Sequence, residues 1–277
     1  MFNDKNMKIF KVLLVLSVSI IAVGAVRAIV IPPGTCITLA TTSRGMFLTT
    51  KAVNEPGPGT IDATSCDIGD YITTSMTVTS LTVHDAEKYG IFVDSGGMVP
   101  GAITVTISGA TVYNIGNHVG TSFMPDGSQR GIGIIYDSGT SPAPLAKGAI
   151  TSSNVYAYQK GGIVVNHNSN VNTTDTSVTG LGPVDFIAQN GIQYSRDAQG
   201  IIRGNTVSNN FYTGTAGLLA DGSSCGTSTT PPCPPGRRYF STGILLFDID
   251  PSNIQRGQND LSGNQRNFAV ITDALLD

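Results

Sequence analysis

The sequence predicts an all-β protein that forms one solenoid, a parallel β-helix of about seven turns with an N-terminal cap. Three observations favour this fold class. The 277 residues include 33 Gly but only two Glu and seven Lys, and 13% of them are charged, so few residues that stabilise helices are available. A short apolar string that begins with Gly recurs along the chain. A second string, centred on Val, alternates with the first, as expected when each repeat stacks on the next.

The repeated strings set the length of one turn. The Gly strings lie at residues 90–94, 133–137, 162–166, 191–195, 243–248 and, more loosely, 267–270. The Val strings lie at residues 81–83, 110–112, 153–155, 176–178, 205–207 and 259–261. A β-sandwich or jelly roll gives no reason for one pentapeptide to recur. A propeller blade needs about 40–50 residues, and a leucine-rich repeat needs its regular Leu spacing.

The spacing of the strings predicts where the insertions lie. The step from a Gly string to the next Val string varies little, from 22 residues between Gly90 and Val112 to 16 between Gly162 and Val178. The return step is far more variable. We therefore expect all large insertions, at residues 114–130, 180–189 and 210–240, to leave the solenoid at one corner. Gly at each strand entrance is interpreted as a residue whose backbone angles exclude a side chain.

The first 28 residues are predicted to be a signal peptide. A basic start is followed by an apolar run over residues 12–23 and by small residues before position 29, which is the pattern of a cleaved export signal. The alternative is a retained anchor, although the run is shorter than the ~20 residues of a membrane span. Residues 29–75 are assigned to the N-terminal cap and first turns, and residues 76–277 to the repeats.

Export sets the expected charge and the state of the four cysteines. Without residues 1–28 the chain keeps 12 basic and 18 acidic residues, a net charge of −6, which disfavours nucleic acid as a partner. No membrane span is expected after cleavage. In an oxidising compartment we expect two local disulfides, between Cys36 and Cys66 and between Cys225 and Cys233.

Three segments carry a resemblance to a known family. Residues 59–69, 158–163 and 182–192 together resemble secreted bacterial right-handed parallel β-helix repeat proteins, and the resemblance extends over residues 57–273. It implies a right-handed helix and a fold of the pectate-lyase-like superfamily. Fold alone assigns no activity.

Enzymes on this fold act on acidic polysaccharides, and their motifs are missing here. The sequence has no Asn-Thr-Asp, Gly-His-Gly or Arg-Ile-Lys motif of polygalacturonase-type hydrolases. Hydrolysis needs two carboxyl groups, which here must be Asp because both Glu lie near the N-terminus. The candidates are Asp126, Asp137 and Asp221. His84, His118 and His167 lie on different repeats without metal-ligand spacing, so no metal cluster is predicted.

Two weaker patterns concern binding. Asp94, Asp137 and Asp248 each end a Gly string; we interpret them as turn residues, with a calcium site as the alternative. The insertions carry side chains suited to an acidic glycan, although the same loops serve equally to cover the solenoid. The candidate ligand-binding residues are His118, Arg130, Tyr212, Arg237, Arg238 and Tyr239.

These patterns together favour one function over two alternatives. We expect a secreted or cell-surface protein that contacts extracellular polysaccharide through its loop-lined face without catalysis. No cofactor is expected apart from that calcium alternative. One alternative is a polysaccharide lyase or glycoside hydrolase with an Asp-based site under the insertions. The other is a structural or adhesive module that binds a protein partner.

Overall fold

The computed structural model describes residues 29–96, 101–139, 146–214, 217–218, 224–225 and 240–271. The predicted signal peptide therefore lies outside the described residues, as do Asp221, Cys233, Arg237, Arg238 and Tyr239. No helix in the described part of the chain is long and apolar enough to cross a membrane.

Three sheets account for most of the strands. Sheet 1 contains β2 (Ile37–Thr38), β5 (Thr49–Val53), β7 (Ile68–Ile72), β10 (Tyr89–Asp94), β15 (Ile132–Asp137), β18 (Gly161–Asn166), β21 (Asn190–Ser195), β26 (Thr242–Phe247) and β29 (Arg266–Ile271). Sheet 2 contains β8 (Met76–Thr79), β11 (Ile103–Ser108), β16 (Ala146–Thr151), β19 (Asn170–Thr174), β22 (Gly200–Arg203) and β27 (Ile254–Arg256). Sheet 3 contains β1 (Ile29–Ile31), β6 (Gly59–Asp62), β9 (Leu81–His84), β12 (Thr111–Ile115), β17 (Asn154–Tyr158), β20 (Ser177–Val184), β23 (Thr206–Tyr212) and β28 (Asp260–Ser262).

The remaining described elements are short. Three antiparallel hairpins are formed by β3 (Thr41–Thr42) with β4 (Gly45–Met46), β13 (His118–Val119) with β14 (Ser122–Phe123), and β24 (Gly217–Leu218) with β25 (Ser224–Cys225). A single 3₁₀ turn, Pro251–Asn253, precedes β27.

The chain passes repeatedly from sheet 1 to sheet 2 to sheet 3, which makes it a parallel β-helix. Six complete turns run from β7–β8–β9 to β26–β27–β28, after a first turn that has only β5 and β6. Neighbouring turns pair in parallel throughout the three sheets, and only β2 runs antiparallel to its neighbour β5. The prediction of one all-β solenoid with about seven turns is confirmed.

The interior is filled by columns of like residues. In sheet 1, Ile91, Ile134, Ile163, Ile192 and Ile244 occupy one register position on successive strands, and each is almost completely buried. In sheet 3 the Val of each Val string forms a matching column. Each such side chain contributes about 1.5–3 kcal/mol when it is fully buried. The repeated strings are therefore the core itself.

The glycines of the Gly strings are required for a different reason from the one predicted. Gly90, Gly133 and Gly162 do not have positive φ. Instead, a Cβ at these positions would lie 2.3–2.4 Å from a Val Cγ1 of sheet 3 and 2.5–2.6 Å from the carbonyl oxygen of the next glycine in the column. The steric limit is thus set by a Val of the same turn and by the backbone of the next turn, neither of which string spacing alone reveals.

The insertions occupy two corners rather than one. In chain order, the predicted insertions at residues 114–130, 180–189 and 210–240 follow strands of sheet 3 and precede strands of sheet 1. The connections after β10 and β15, residues 95–102 and 138–145, are also long, and they lie between sheet 1 and sheet 2. At that same corner the later turns have shorter connections, residues 167–169, 196–199 and 248–253. These extra residues explain why the steps from Gly90 to Val112 and from Gly133 to Val155 are longer, at 22 residues, than the later steps.

The N-terminal segment covers the outer face of sheet 1. Leu39 and Leu48 pack on an outward-facing apolar cluster that includes Tyr71, Phe92 and Ile135. A disulfide joins Cys36 to Cys66 with a Cα–Cα distance of 5.7 Å, so this predicted pairing is confirmed. The predicted partner of Cys225 lies outside the described residues.

We expect this disulfide to stabilise the covering segment. Its sequence separation is 30, for which the entropy of the unfolded chain predicts a loss of about 3.6 kcal/mol when the bridge is removed. The double variant Cys36→Ser/Cys66→Ser should therefore unfold at a lower urea concentration than the parent under non-reducing conditions. An unchanged midpoint would show that the segment is held by its apolar contacts alone.

Candidate functional site

The corner between sheet 3 and sheet 1 carries a projecting ledge. The two longest strands of sheet 3, β20 and β23, shift register after Thr179 and continue past the corner, where Gly182–Val184 pairs with Asn210–Tyr212. Thr213 N–H donates to the Val184 carbonyl at 2.7 Å. The ledge is thus a regular two-stranded extension, and its backbone is fixed by the solenoid beneath it.

Large apolar side chains are exposed on this ledge and on the first insertion. Val119 and Met124 are 62% and 54% exposed, and Phe186 and Phe211 are 36% and 37% exposed. We call these four side chains the apolar crest. The first and second insertions lie against each other, because a Cβ on Gly127 would be only 3.1 Å from the Phe186 carbonyl oxygen. Contiguous exposed apolar surface is typical of binding sites, whereas single exposed apolar side chains are ordinary.

Two buried glutamines hold the insertions in place. Gln159 Oε1 accepts from Asn117 N–H at 2.9 Å and Asp126 N–H at 3.1 Å, while its Nε2 donates to the Ser128 carbonyl at 2.6 Å. Gln189 does the same for the second insertion, accepting from Leu181 N–H at 3.0 Å. A Gln precedes several Gly strings in the sequence, and these contacts explain two of them. The crest is therefore presented by well-anchored loops.

The predicted ligand-binding residues within the described chain are mostly engaged elsewhere. The His118 side chain is only 2% exposed. Arg130 is paired with Glu87, with Nη1 3.3 Å from Oε2. Tyr212 lies on the ledge but has interactions of its own. Asp126, a catalytic candidate, accepts from the Ser128 hydroxyl, from Ser128 N–H at 2.9 Å and from Gln159 Nε2 at 2.9 Å. These hydrogen bonds, the hydroxyl first, outweigh burial and lower its pKa. These contacts fit a structural role in the first insertion.

Asp137, another catalytic candidate, is buried in an ion-pair network. It contacts the Arg44 Nε, lies 2.9 Å from His167 Nδ1 and accepts from Gly139 N–H at 2.8 Å. Burial alone would raise the pKa of this carboxyl group, but the Arg44 charge, the His167 contact and the Gly139 hydrogen bond outweigh it and lower the pKa. Asp137 is thus a charged structural residue beneath the β3–β4 hairpin.

The three calcium candidates do not share one register position. Asp94 and Asp137 are direct neighbours on β10 and β15, but the column continues through Asn166 and Ser195 to Phe247, so Asp248 lies one residue beyond it. Asp94 accepts from Tyr71 Oη at 2.8 Å, Ser43 N–H at 2.9 Å and Gly96 N–H at 3.0 Å. The Gly96 and Gly139 contacts, each two residues on, have the pattern of the predicted turns.

Two histidines that are distant in sequence converge on one carboxylate. His84 Nδ1 lies 2.7 Å from Asp85 Oδ2, and His118 Nε2 lies 3.3 Å from Asp85 Oδ1. His118 Nδ1 is 2.9 Å from the Gly116 carbonyl oxygen. The two histidines belong to different repeats of the sequence, and their side chains nevertheless meet at Asp85. They come together because the first insertion folds back over the preceding turn, and sequence spacing does not register that.

This arrangement shifts the protonation equilibria of the cluster. The hydrogen bond to Asp85 raises the pKa of His84. Burial acts to lower the pKa of His118, but Asp85 and the Glu87 charge outweigh it and the net shift is upward. Burial also opposes ionisation of Asp85, yet hydrogen bonds from His118, His84 and Asn114 hold the pKa of that carboxyl well below its usual value. The cluster is a strongly coupled acidic and imidazole site at the base of the first insertion.

Two buried ionisable groups were missed by sequence reasoning. Lys160 Nζ donates to the Ala188 carbonyl at 3.0 Å under the second insertion, and burial lowers its pKa to about 8. Asp70 lies inside the solenoid and accepts from Glu55 N–H. The signal for Asp70 was available, since residues 69–72 form one more Gly string in which Asp replaces the usual Ile.

Comparison with known proteins yields a likeness in fold. No protein-family model and no curated protein matches the sequence. Among solved structures, the chain is similar to the crystal structure of pectate lyase Pel9A, with a TM-score of 0.40 and 12% sequence identity, over 77% of this chain and 49% of that chain. The chain spans about half the length of that lyase. The chain is a parallel β-helix. This agrees with the predicted resemblance at the level of the fold.

Proposed function

We propose that the protein is an exported β-helix protein that binds extracellular polysaccharide without catalysis, and that the apolar crest is the surface of contact. The observation that carries the proposal is the exposure of Phe186 and Phe211 on a backbone that the solenoid holds fixed. Aromatic rings offer large contact area to the C–H faces of sugar rings. Insertions that gather on one side of a repeat protein are often its binding face.

The polar surroundings of Asp126 and Asp137 support the absence of catalysis at these two candidate carboxylates. A general acid or base needs a carboxyl group that can reach the substrate. Asp137 is buried and paired with Arg44, and Asp126 is hydrogen-bonded to Ser128 and Gln159. Export is supported by the Cys36–Cys66 disulfide, because such bonds persist in oxidising compartments.

Removing the two aromatic side chains tests this proposal. The double variant Phe186→Ala/Phe211→Ala is expected to lose at least about tenfold in affinity for the polysaccharide that the parent retains, since each buried aromatic anchor contributes on the order of 1 kcal/mol or more. Affinity electrophoresis in gels that contain individual polysaccharides, together with a glycan array, measures this loss. Phe47→Ala is the matched control, because Phe47 is 68% exposed on the β3–β4 side of the molecule.

Two results would contradict the proposal. Equal binding by the parent and the double variant would exclude the crest as the contact surface. Release of reducing ends, or a rise in absorbance at 235 nm on incubation with acidic polysaccharides, would exclude a non-catalytic role and favour the lyase or hydrolase alternative. Binding and enzymatic activity are both measured on the same protein preparations, so that a loss of binding is distinguished from catalysis.

A further inference from the structure

A second candidate ligand site lies at the start of the solenoid, away from the apolar crest. Asp62 ends β6 and His84 ends β9, and the two residues are register partners on adjacent strands of sheet 3. Asp85 follows His84 directly, with a positive φ of 62°. One ligand atom from each of Asp62, His84 and Asp85 can be chosen so that all three atoms lie within 4.8 Å of one another. All three side chains are half-buried.

The imidazole of this group is held in position by an aromatic stack. His84 stacks on Tyr113 with ring centroids 5.0 Å apart and an interplanar angle of 16°. Tyr113 in turn stacks on Tyr156 at 5.1 Å and 4°. These three residues occupy equivalent outward positions on β9, β12 and β17. A ring packed on its face in this way keeps its edge, which carries both nitrogen atoms, available to the neighbouring carboxylate of Asp85.

A second histidine positions one of the carboxylates. The Gly116 carbonyl can only accept a hydrogen bond, so His118 Nδ1 donates to it at 2.9 Å. The opposite nitrogen, Nε2, then faces Asp85 Oδ1 at 3.3 Å. This side chain comes from the first insertion and is almost fully buried. In known metal sites, residues that do not bind the metal themselves orient a carboxylate ligand by hydrogen-bonding to it.

The local charge is suited to a cation. Asp62, Asp85 and Glu87 surround the two imidazoles, and Arg130 is ion-paired with Glu87. Both ring nitrogens of His118 face acceptors, so this side chain is an imidazolium that donates from both. With His84 neutral, the three carboxylates, this imidazolium and the Arg130 guanidinium leave one net negative charge. Mixed imidazole and carboxylate donors suit zinc-like divalent ions, whereas calcium prefers oxygen donors alone.

We propose that Asp62, His84 and Asp85 bind one divalent transition-metal ion of the zinc class, with His118 as a positioning residue on Asp85. The ion links β6 and β9 to the base of the first insertion, so its role is structural. This site is independent of glycan binding at the crest, and it differs in residues and in chemistry from a calcium site along Asp94 and Asp137.

Metal titration of the full chain, without an affinity tag and after treatment with a chelator, tests the proposal. Zinc, nickel, manganese and calcium chlorides are titrated separately by calorimetry, and the melting temperature is recorded with and without each ion. We expect one zinc-class ion per chain, a raised melting temperature, and calcium binding at least tenfold weaker. Asp62→Asn and His84→Gln should each weaken zinc binding at least tenfold.

The controls separate loss of the site from loss of the fold. His167→Gln removes a histidine whose side chain contacts Asn166 and Asp137 in the described structure and should leave zinc binding unchanged, as should Asp250→Asn on an exposed turn. The melting temperature without metal shows whether each variant is folded. The proposal is overturned if no zinc-class ion binds to the folded parent at millimolar concentration. It is also overturned if folded Asp62→Asn and His84→Gln both bind zinc as the parent does.

Discussion

Replacing Gly162 with alanine is expected to lower the free energy of unfolding by about 3 kcal/mol, at the upper end of the cost of overpacking a core. A Cβ at this position would lie 2.3 Å from Val178 Cγ1, 2.6 Å from the Gly191 carbonyl oxygen and 2.9 Å from a ring carbon of Tyr158. Two of these obstacles are fixed by the backbone or by a buried ring, so the collision cannot be relieved by one rotamer change. Urea unfolding followed by circular dichroism measures the loss.

The neighbouring glycine provides a matched control for this prediction. A Cβ on Gly161 would lie 3.3 Å from Val164 Cγ2 and 3.7 Å from Ile132 Cγ1, and Gly161 does not have positive φ. Gly161→Ala should therefore change stability by less than about 1 kcal/mol, since lower chain entropy in the unfolded state offsets the mild crowding. If both variants lose the same stability, the packing explanation of the glycine column fails.

Replacing Asp70 with asparagine is expected to stabilise the protein at pH 8 by about 4 kcal/mol. Asp70 has no exposed surface and lies in the same interior column as Ala52 and Ile91. Burial raises its pKa to about 7, against the hydrogen bond from Glu55 N–H, which favours the charged form. A shift of roughly three units corresponds to about 4 kcal/mol. Asparagine keeps an acceptor for Glu55 N–H and carries no charge.

The sign of this effect depends on pH. Below about pH 4 the carboxyl is protonated in both the folded and the unfolded states, so the parent and Asp70→Asn should then be similar in stability. Between about pH 4 and pH 7 the unfolded chain loses its proton while the folded chain retains it, and the stability of the parent falls. Above pH 7 the full difference is present. Melting temperatures across this range measure it.

An acidic residue on the outside gives a control of opposite sign. Asp67 accepts from Thr49 N–H at 2.9 Å and lies 2.9 Å from Lys88 Nζ. Burial opposes its ionisation, but these partners outweigh burial and lower its pKa. Asp67→Asn should therefore destabilise the protein at neutral pH, an effect that disappears as the pH falls. Stabilisation of both variants at pH 8 would point to net charge rather than to burial of Asp70.

The fold was predictable because the residues that form its core recur at regular positions along the sequence. Ile134 and Ile163 recur one turn apart, and stacking requires that recurrence, so the strings, the solenoid and the approximate number of turns followed from the residues alone. The Cys36–Cys66 bridge followed from local pairing in an oxidising compartment. The reason for Gly133 could not be predicted, because the Val155 side chain that excludes a Cβ there belongs to another sheet of the same turn.

The candidate sites were only partly predictable, because they depend on where insertions fold. His118 was singled out as a ligand-binding residue, but it lies buried against Asp85, on the turn before its own. Phe186 and Phe211 were not singled out, since exposure of an apolar side chain is a property of the folded surface. Asp137 was identified from its position at the end of a strand, yet its partner Arg44 precedes it by 93 residues, a separation that no local pattern bridges.

The glycine column has a consequence for how the length of such a chain can change. Because Gly133 and Gly162 meet equivalent neighbours, a duplicated or deleted segment of one turn would bring each side chain beside a residue of the same kind. Gene segments that encode one turn can then be gained or lost without redesign of a core. The same glycines make the solenoid intolerant of single changes. Chain length is therefore easy to vary in this architecture, whereas the cross-section of a turn is nearly fixed.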